Sequence, residues 1–313
     1  MKVNPQSFEE KIKEAQKLYL DHQYEKALEK YLQIEQELPS EDENLPVVQL
    51  EIGWTYYAMK DYRQAIPYLE KGITSLPEDK YPRELFDCLQ MLGFASEGIH
   101  DYSSAMKWFQ KALQLPVEEK AKAMLSFHLG KLLFSLTKYD EAKKYLEPLL
   151  KGKPALLDSS FLQTIRYFLG FIAISEDDYS RAMTYFQEYI SHAPDEKNKA
   201  PGYYGLAFIH NARKEFTAVV DACKKVIQLD PEFFDKESIA YFLCMAYMQL
   251  EMWEELDMFF RELQNNYPEG RYSEVYPIFE KALKERKVPG KKEKASKGKS
   301  ELFSSDEDES HKD

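Results

Sequence analysis

A small or apolar residue recurs along this chain at Ala27, Ala65, Ala105, Ala142, Ala182, Val219 and Leu256, at intervals of 38, 40, 37, 40, 37 and 37 residues. A fixed period of this length outweighs any local propensity, because it makes one supersecondary unit the building block of the whole chain. Three residues before every anchor stands an aromatic: Tyr24, Tyr62, Tyr102, Tyr139, Tyr179, Phe216 and Trp253. Four residues after it come Tyr31, Leu69, Phe109, Leu146, Phe186, Cys223 and Phe260. Twelve residues before it the chain is again small, at Ala15, Gly53, Gly93, Gly130, Gly170, Ala207 and Cys244. A proline stands twelve residues after six of the anchors (Pro39, Pro77, Pro154, Pro194, Pro231 and Pro268), and Pro116 comes one place early in the third copy.

Apolar residues three and four apart lay one stripe along a helix. The pattern therefore predicts two helices per repeat, joined by short polar links such as Lys60-Asp61 and Asp177-Asp178. Small residues on both helices let the backbones approach closely, and the proline closes the second helix because it has no N–H to donate. One hairpin cannot cover both its faces, so stacking builds the core, and the expectation is one all-α solenoid rather than two domains.

The chain resembles the tetratricopeptide repeat (TPR) family from about Ser7 to Pro268. Leu92-Gly93, Tyr102 to Ala105, Phe109, Ala112 and the run from Val226 to Pro231 follow that family's pattern closely. The resemblance implies a right-handed superhelical solenoid of seven hairpins, over about 7–39, 46–77, 84–116, 122–154, 162–194, 200–231 and 237–268. The tryptophan expected early in each first helix is replaced by Lys11, Gln49, Leu89, Ser126, Arg166, Tyr203 and Ala240. The repeats are also longer than the family's usual 34 residues. Because the small-to-anchor spacing is constant, the extra residues should lie between repeats, after each proline.

Ser7 with Glu10 reads as a capping box that opens the first helix. A segment over 273–287 should cap the array, with Val275, Ile278, Phe279, Ala282 and Leu283 on its apolar face and Glu280, Lys281, Lys284 and Glu285 opposite. Residues 288–313 are charged or small apart from Leu302-Phe303 and should be a disordered tail. With 42 basic and 54 acidic residues the net charge is −12, which disfavours nucleic acid as a partner. The tail's basic block, Lys284 to Lys299, reads as a solvated tether, with nucleic-acid or polyanion binding through it as the lesser alternative, and Ser304 and Ser305 further on precede acidic residues. No run of eighteen apolar residues is present, so membrane insertion is not expected. Met1 to Leu20 has no apolar signal core. Three irregularly spaced cysteines give neither a disulfide framework nor a zinc pattern, which suits a reducing cytoplasmic setting.

No catalytic constellation emerges. The six histidines (His22, His100, His128, His192, His210 and His311) form no metal-ligand cluster, and His210 reads as a hydrogen-bonded packing residue. Gly298-Lys299-Ser300 lacks both the opening glycine and the preceding strand of a phosphate loop. Cys223 and Cys244 read as buried thiols. We therefore expect no enzyme, no metal and no cofactor.

The resemblance places a binding groove on the first helices, at positions fifteen, eleven and eight before each anchor. Among these are Trp54, Tyr57, Phe94, Phe127, Tyr167, Phe171, Tyr204, Phe208, Tyr241 and Met245, a lining of large apolar side chains interrupted by Gln16, Gln90, Glu97, Lys131 and Asn211. Lys131 and Asn211 stand two repeats apart, too sparse for the family's carboxylate clamp. Two readings follow: long first helices buried on both flanks, or an apolar groove that holds a protein or peptide through aromatic anchors. The second makes the chain an interaction scaffold or adaptor, or a chaperone-like holder of apolar client or secretion-substrate segments, with self-association as a further partner class.

Overall fold

The computed structural model describes residues 5–152 and 154–290, with side chains from Phe8 onward. Among the described residues there are fifteen α-helices and no β-strand. Fourteen pair as seven antiparallel hairpins: α1 (Pro5–Leu20) with α2 (Tyr24–Glu37), α3 (Leu45–Ala58) with α4 (Tyr62–Gly72), and α5 (Pro82–Gly98) with α6 (Tyr102–Leu113). Next come α7 (Glu119–Ser135) with α8 (Tyr139–Lys151), and α9 (Ser159–Ser175) with α10 (Tyr179–Ser191). The last two are α11 (Ala200–Ala212) with α12 (Phe216–Leu229), and α13 (Lys236–Gln249) with α14 (Trp253–Asn266). Every second helix starts on the aromatic three residues before its anchor.

Each hairpin closes on a small-to-large contact. All seven anchors are fully buried, and so are the side chains four residues later, down to 3% exposure at Phe260. These larger side chains lie on the small residues of the first helix. A Cβ added to Gly53 would stand 2.8 Å from Leu69, one on Gly93 2.2 Å from Phe109, one on Gly130 2.5 Å from Leu146 and one on Gly170 2.6 Å from Phe186. The glycines are thus required by close approach, although each costs helix stability.

The link between the two helices is a left-handed turn without glycine. His22, Lys60, His100, Thr137, Asp177, Lys214 and Glu251 all have φ between 56° and 63°. The following residue donates its N–H five residues back, as in Gln23 to Leu18, Asp61 to Tyr56 and Met252 to Tyr247. This is a Schellman closure, which satisfies the last carbonyls of the first helix. Side chains at the turn also fasten the aromatic that opens the next helix. His22 Nδ1 is 2.7 Å from the Tyr24 hydroxyl, His100 Nδ1 is 2.9 Å from that of Tyr102, and the Tyr179 hydroxyl donates to Asp177 at 2.8 Å.

The prolines at the repeat ends fall just beyond the second helices, as the pattern predicts. Pro67 and Pro148, in contrast, lie inside α4 and α8 on their exposed faces, where water can satisfy the carbonyl each leaves free. The residues that follow the prolines lie in loops and 3-10 turns such as Pro154–Leu156 and Lys197–Lys199, whereas the turn Ile73–Ser75 precedes its proline.

The chain divides into two compact units, Met1–Asp195 and Glu196–Asp313, where the repeat register alone led us to expect one array. In the first, hairpins stack through α2 on α3, α4 on α5, α6 on α7 and α8 on α9. In the second, α12 packs on α13, and α14 on α15 (Tyr276–Glu285). The expected cap is α15 preceded by a 3-10 turn, and its buried face differs from the sequence reading. Phe279 and Ala282 are fully buried as expected, but Tyr276 is buried instead of Ile278, which is 44% exposed. The 3-10 turn shifts the register at the helix start, bringing Tyr276 edge-on to Phe260 at 5.4 Å, with its hydroxyl donating to the Tyr267 carbonyl at 2.6 Å. A left-handed Arg286 ends α15, and Val288, assigned from sequence to the tail, is buried. The helix that Ser7 was expected to cap begins earlier, at Pro5, and the Ser7 side chain lies outside the described ones. Residues 291–313, with Gly298-Lys299-Ser300, Leu302-Phe303, Ser304, Ser305 and His311, lie outside the described residues.

Candidate partner-binding surface

The first helices carry the ten candidate residues, and nine of them are half-buried. In the first unit, Trp54 and Tyr57 come from α3, Phe94 from α5, Phe127 from α7, and Tyr167 and Phe171 from α9. Their rings rest on one another and on the second helices. Phe94 meets Phe109 at 5.1 Å and His128 at 4.6 Å, and Phe127 meets Phe161 at 4.9 Å. Tyr167 packs on Phe171 at 4.8 Å, and Phe171 on the buried Phe186 at 5.2 Å. Such edge-to-face and offset pairs suit the ring quadrupole and hold each ring in a fixed orientation.

In the second unit, Phe208, Tyr241 and Met245 are half-buried, while Tyr204 is buried at 4% exposure. The Tyr204 ring packs on Phe208 and Phe233, and its hydroxyl donates to Asp235 at 2.6 Å. Its place in an open lining, expected from its register, is thus taken up by internal packing. Leu50 and Met248, at equivalent register positions, are likewise buried.

Asp235 is the centre of a polar cluster absent from the sequence reading. It caps α13 by accepting from the Ser238 N–H at 3.2 Å and the Ser238 hydroxyl at 2.9 Å, and it pairs with Arg271. Arg271 Nε also donates to Glu237 at 3.2 Å. The Tyr272 ring stacks flat on Tyr241, at 4.0 Å and 2°, and its hydroxyl is 2.8 Å from that of Ser238. Burial raises the Asp235 pKa, but the bonds from Tyr204, Arg271 and Ser238 outweigh it and hold the carboxyl below its ordinary value. The sequence signal was a cap-competent Asp three residues before Ser238, with Arg271 one repeat on.

A second polar group lies in the first unit. His128 Nε2 is 2.7 Å from Glu97 Oε2, beside an open cleft of about 610 Å³ lined by Tyr57, Tyr62, Phe94, Glu97, Gly98, His100, Tyr102 and His128. Burial, then the neighbouring Tyr62 and Glu97, push the Tyr57 hydroxyl pKa up. Glu97 stood out in the sequence only as an acid in an apolar column.

The remaining candidates are structural. His210 Nδ1 is 2.6 Å from Glu215 across its own turn, in keeping with a packing role. Cys88, Cys223 and Cys244 are free and buried, and burial pushes the first two thiols up to about 12, far from thiolate chemistry at neutral pH. Among the described residues no group of three or more His, Cys, Asp or Glu side chains is placed to hold a metal ion. No described helix is long and apolar enough to cross a membrane.

A sequence-family model described as tetratricopeptide repeat matches residues 48–79 and 125–154. No curated protein matches the chain. Among solved structures, the C-terminal part of a TPR repeat-containing protein from Cytophaga hutchinsonii superposes with a TM-score of 0.62 at 16% identity, covering 85% of this chain and 98% of that one. The apo form of RapI superposes at 0.61 with 14% identity, over 88% of this chain and 81% of its own. PilW, a type IV pilus biogenesis factor, gives 0.53 at 15% identity, over 74% of this chain and 97% of its own. At these identities the likeness is one of fold.

Proposed function

We propose that this chain, whose fold and two matched stretches are those of a tetratricopeptide repeat protein, is a non-catalytic scaffold that holds a segment of a partner protein against the aromatic side chains of its first helices. The observation that carries this reading is the half-burial of Trp54, Tyr57, Phe94, Phe127, Tyr167, Phe171, Phe208, Tyr241 and Met245. A sealed core would bury these rings fully, whereas rings oriented by their neighbours with part of their surface in water are what an apolar anchor needs. The three free buried cysteines suit a reducing, cytoplasmic setting.

The test is partner capture from native lysate with the intact chain beside Tyr167→Ala/Phe171→Ala. The expected result is loss of the captured protein with the helical circular-dichroism signal retained. Undiminished capture by a folded double variant would sink the proposal. The chaperone-like reading draws on the exposed Phe234, Met258 and Ile227 of the second unit, at 72%, 57% and 41%. That reading requires suppression of aggregation of several unrelated unfolded proteins, and a scaffold for one partner does not show it.

A further inference from the structure

The residues eight before each anchor show where the lining changes chemistry. In hairpins one, two and four this place is taken by a ring that packs on the aromatic opening the second helix: Tyr19 on Tyr24 at 5.4 Å, Tyr57 on Tyr62 at 5.5 Å and Phe134 on Tyr139 at 5.5 Å. In hairpin three the same place holds Glu97, which lines the open cleft of about 610 Å³ described above. Gly98 completes it. A Cβ there would stand 2.4 Å from the Tyr62 ring, so only glycine lets that ring lie against α5. Four aromatic rings line the cleft, and no lysine or arginine does. Glu97 Oε2 is taken by His128, which leaves Oε1 for a ligand.

We infer that this cleft receives a side-chain cation of the partner protein, the guanidinium of an arginine or the ammonium of a lysine. Ring faces present negative charge to a cation, and a carboxylate beside them supplies the countercharge. Both features meet here because an acid stands between the rings of hairpins two and four, Tyr57 and Phe134. A neutral apolar anchor would desolvate Glu97 Oε1 without giving it a donor, which costs affinity and discriminates against such partners. The inference rests on the scaffold reading and adds a charge requirement to its apolar anchors.

The probes are Nα-acetyl-arginine amide, Nα-acetyl-lysine amide and the neutral Nα-acetyl-citrulline amide, titrated into the full chain while the imidazole signals of His100 and His128 are followed by NMR. Saturable shifts are expected with both cations and none with citrulline. Glu97→Gln keeps the volume and an oxygen for His128, and it should weaken the cations by about tenfold with an unchanged melting temperature. Glu97→Tyr, which supplies the ring found in hairpins one, two and four, should abolish binding. The inference is overturned if neither cation binds saturably, if citrulline matches arginine, or if folded Glu97→Gln binds as well as the parent. Since no partner is needed, failure here is separable from failure of the groove reading, which is judged by the Tyr167/Phe171 variant.

Discussion

Replacing Gly93 by alanine sets helix propensity and packing against each other. In an isolated helix this change is favourable by about 1 kcal/mol. In the hairpin, the new methyl would stand 2.2 Å from Phe109 Cε1, 2.4 Å from Cδ1 and 2.8 Å from Cζ. Carbon atoms in contact settle at about 3.5–4.0 Å, so the ring must retreat by more than about 1 Å or the two helices must part. Phe109 has nowhere to go: it is fully buried and rests edge-on against Phe94 at 5.1 Å and His128 at 5.3 Å. Overpacking of this kind costs roughly 1–3 kcal/mol, and where the clash is with a hemmed-in ring the upper half of that range applies. After the propensity gain, Gly93→Ala should destabilise the first unit by roughly 1–2 kcal/mol, read as a lower urea midpoint by far-ultraviolet circular dichroism. Combining it with Phe109→Leu, the residue type that faces Gly53 and Gly130, should cost less than the sum of the single changes, with a coupling of at least about 0.5 kcal/mol. If Gly93→Ala raises stability, or the two changes add, the close-approach argument for the repeat is wrong.

At the left-handed turns, Thr137 (φ 57°) is a β-branched residue in a conformation it strongly disfavours. Thr137→Gly should stabilise by up to about 1 kcal/mol, the relief of left-handed strain less the added unfolded-state entropy, and thermal unfolding will show an increase if the turn is strained. Asp235→Asn should cost roughly 2 kcal/mol by weakening the bonds from Tyr204, Arg271 and Ser238; the exposure of Arg271 keeps this below the loss for a fully buried pair. Because the folded carboxyl has a pKa below its ordinary value, its contribution is present above about pH 4 and fades as the pH falls through the lowered value. Acid titration of unfolding should show that step in the parent and not in Asp235→Asn.

The repeat register was legible because period, anchor, ring and small residue all state one packing rule seven times over. What escaped was whatever depends on a particular neighbour. The turns use His22, Lys60 and Thr137 where rules for left-handed backbone would ask for glycine, since the flanking helices hold the turn closed. Pro67 and Pro148 sit inside helices because the solvent face tolerates the lost bond. Tyr204 and Tyr241 share a register position, yet only Tyr204 is drawn fully inward, by Asp235 at the start of the following hairpin. Tyr276 takes the buried place expected of Ile278, in a helix that begins only after a 3-10 turn. The chemistry of the Glu97 cleft follows from one exception to a column, which gains meaning only beside the rings on either side.

The small-to-large contact closes within a single hairpin: Gly53 with Leu69, Gly130 with Leu146. That contact is kept whenever a hairpin is copied or exchanged whole, so gene duplication has to match only the faces on which neighbouring hairpins stack. The lining varies more freely from copy to copy. Glu97 stands where Tyr57 and Phe134 stand in adjoining copies, within an unaltered hairpin frame. Descent can therefore alter what the protein recognises at one copy while the small-to-large contact of that copy is kept.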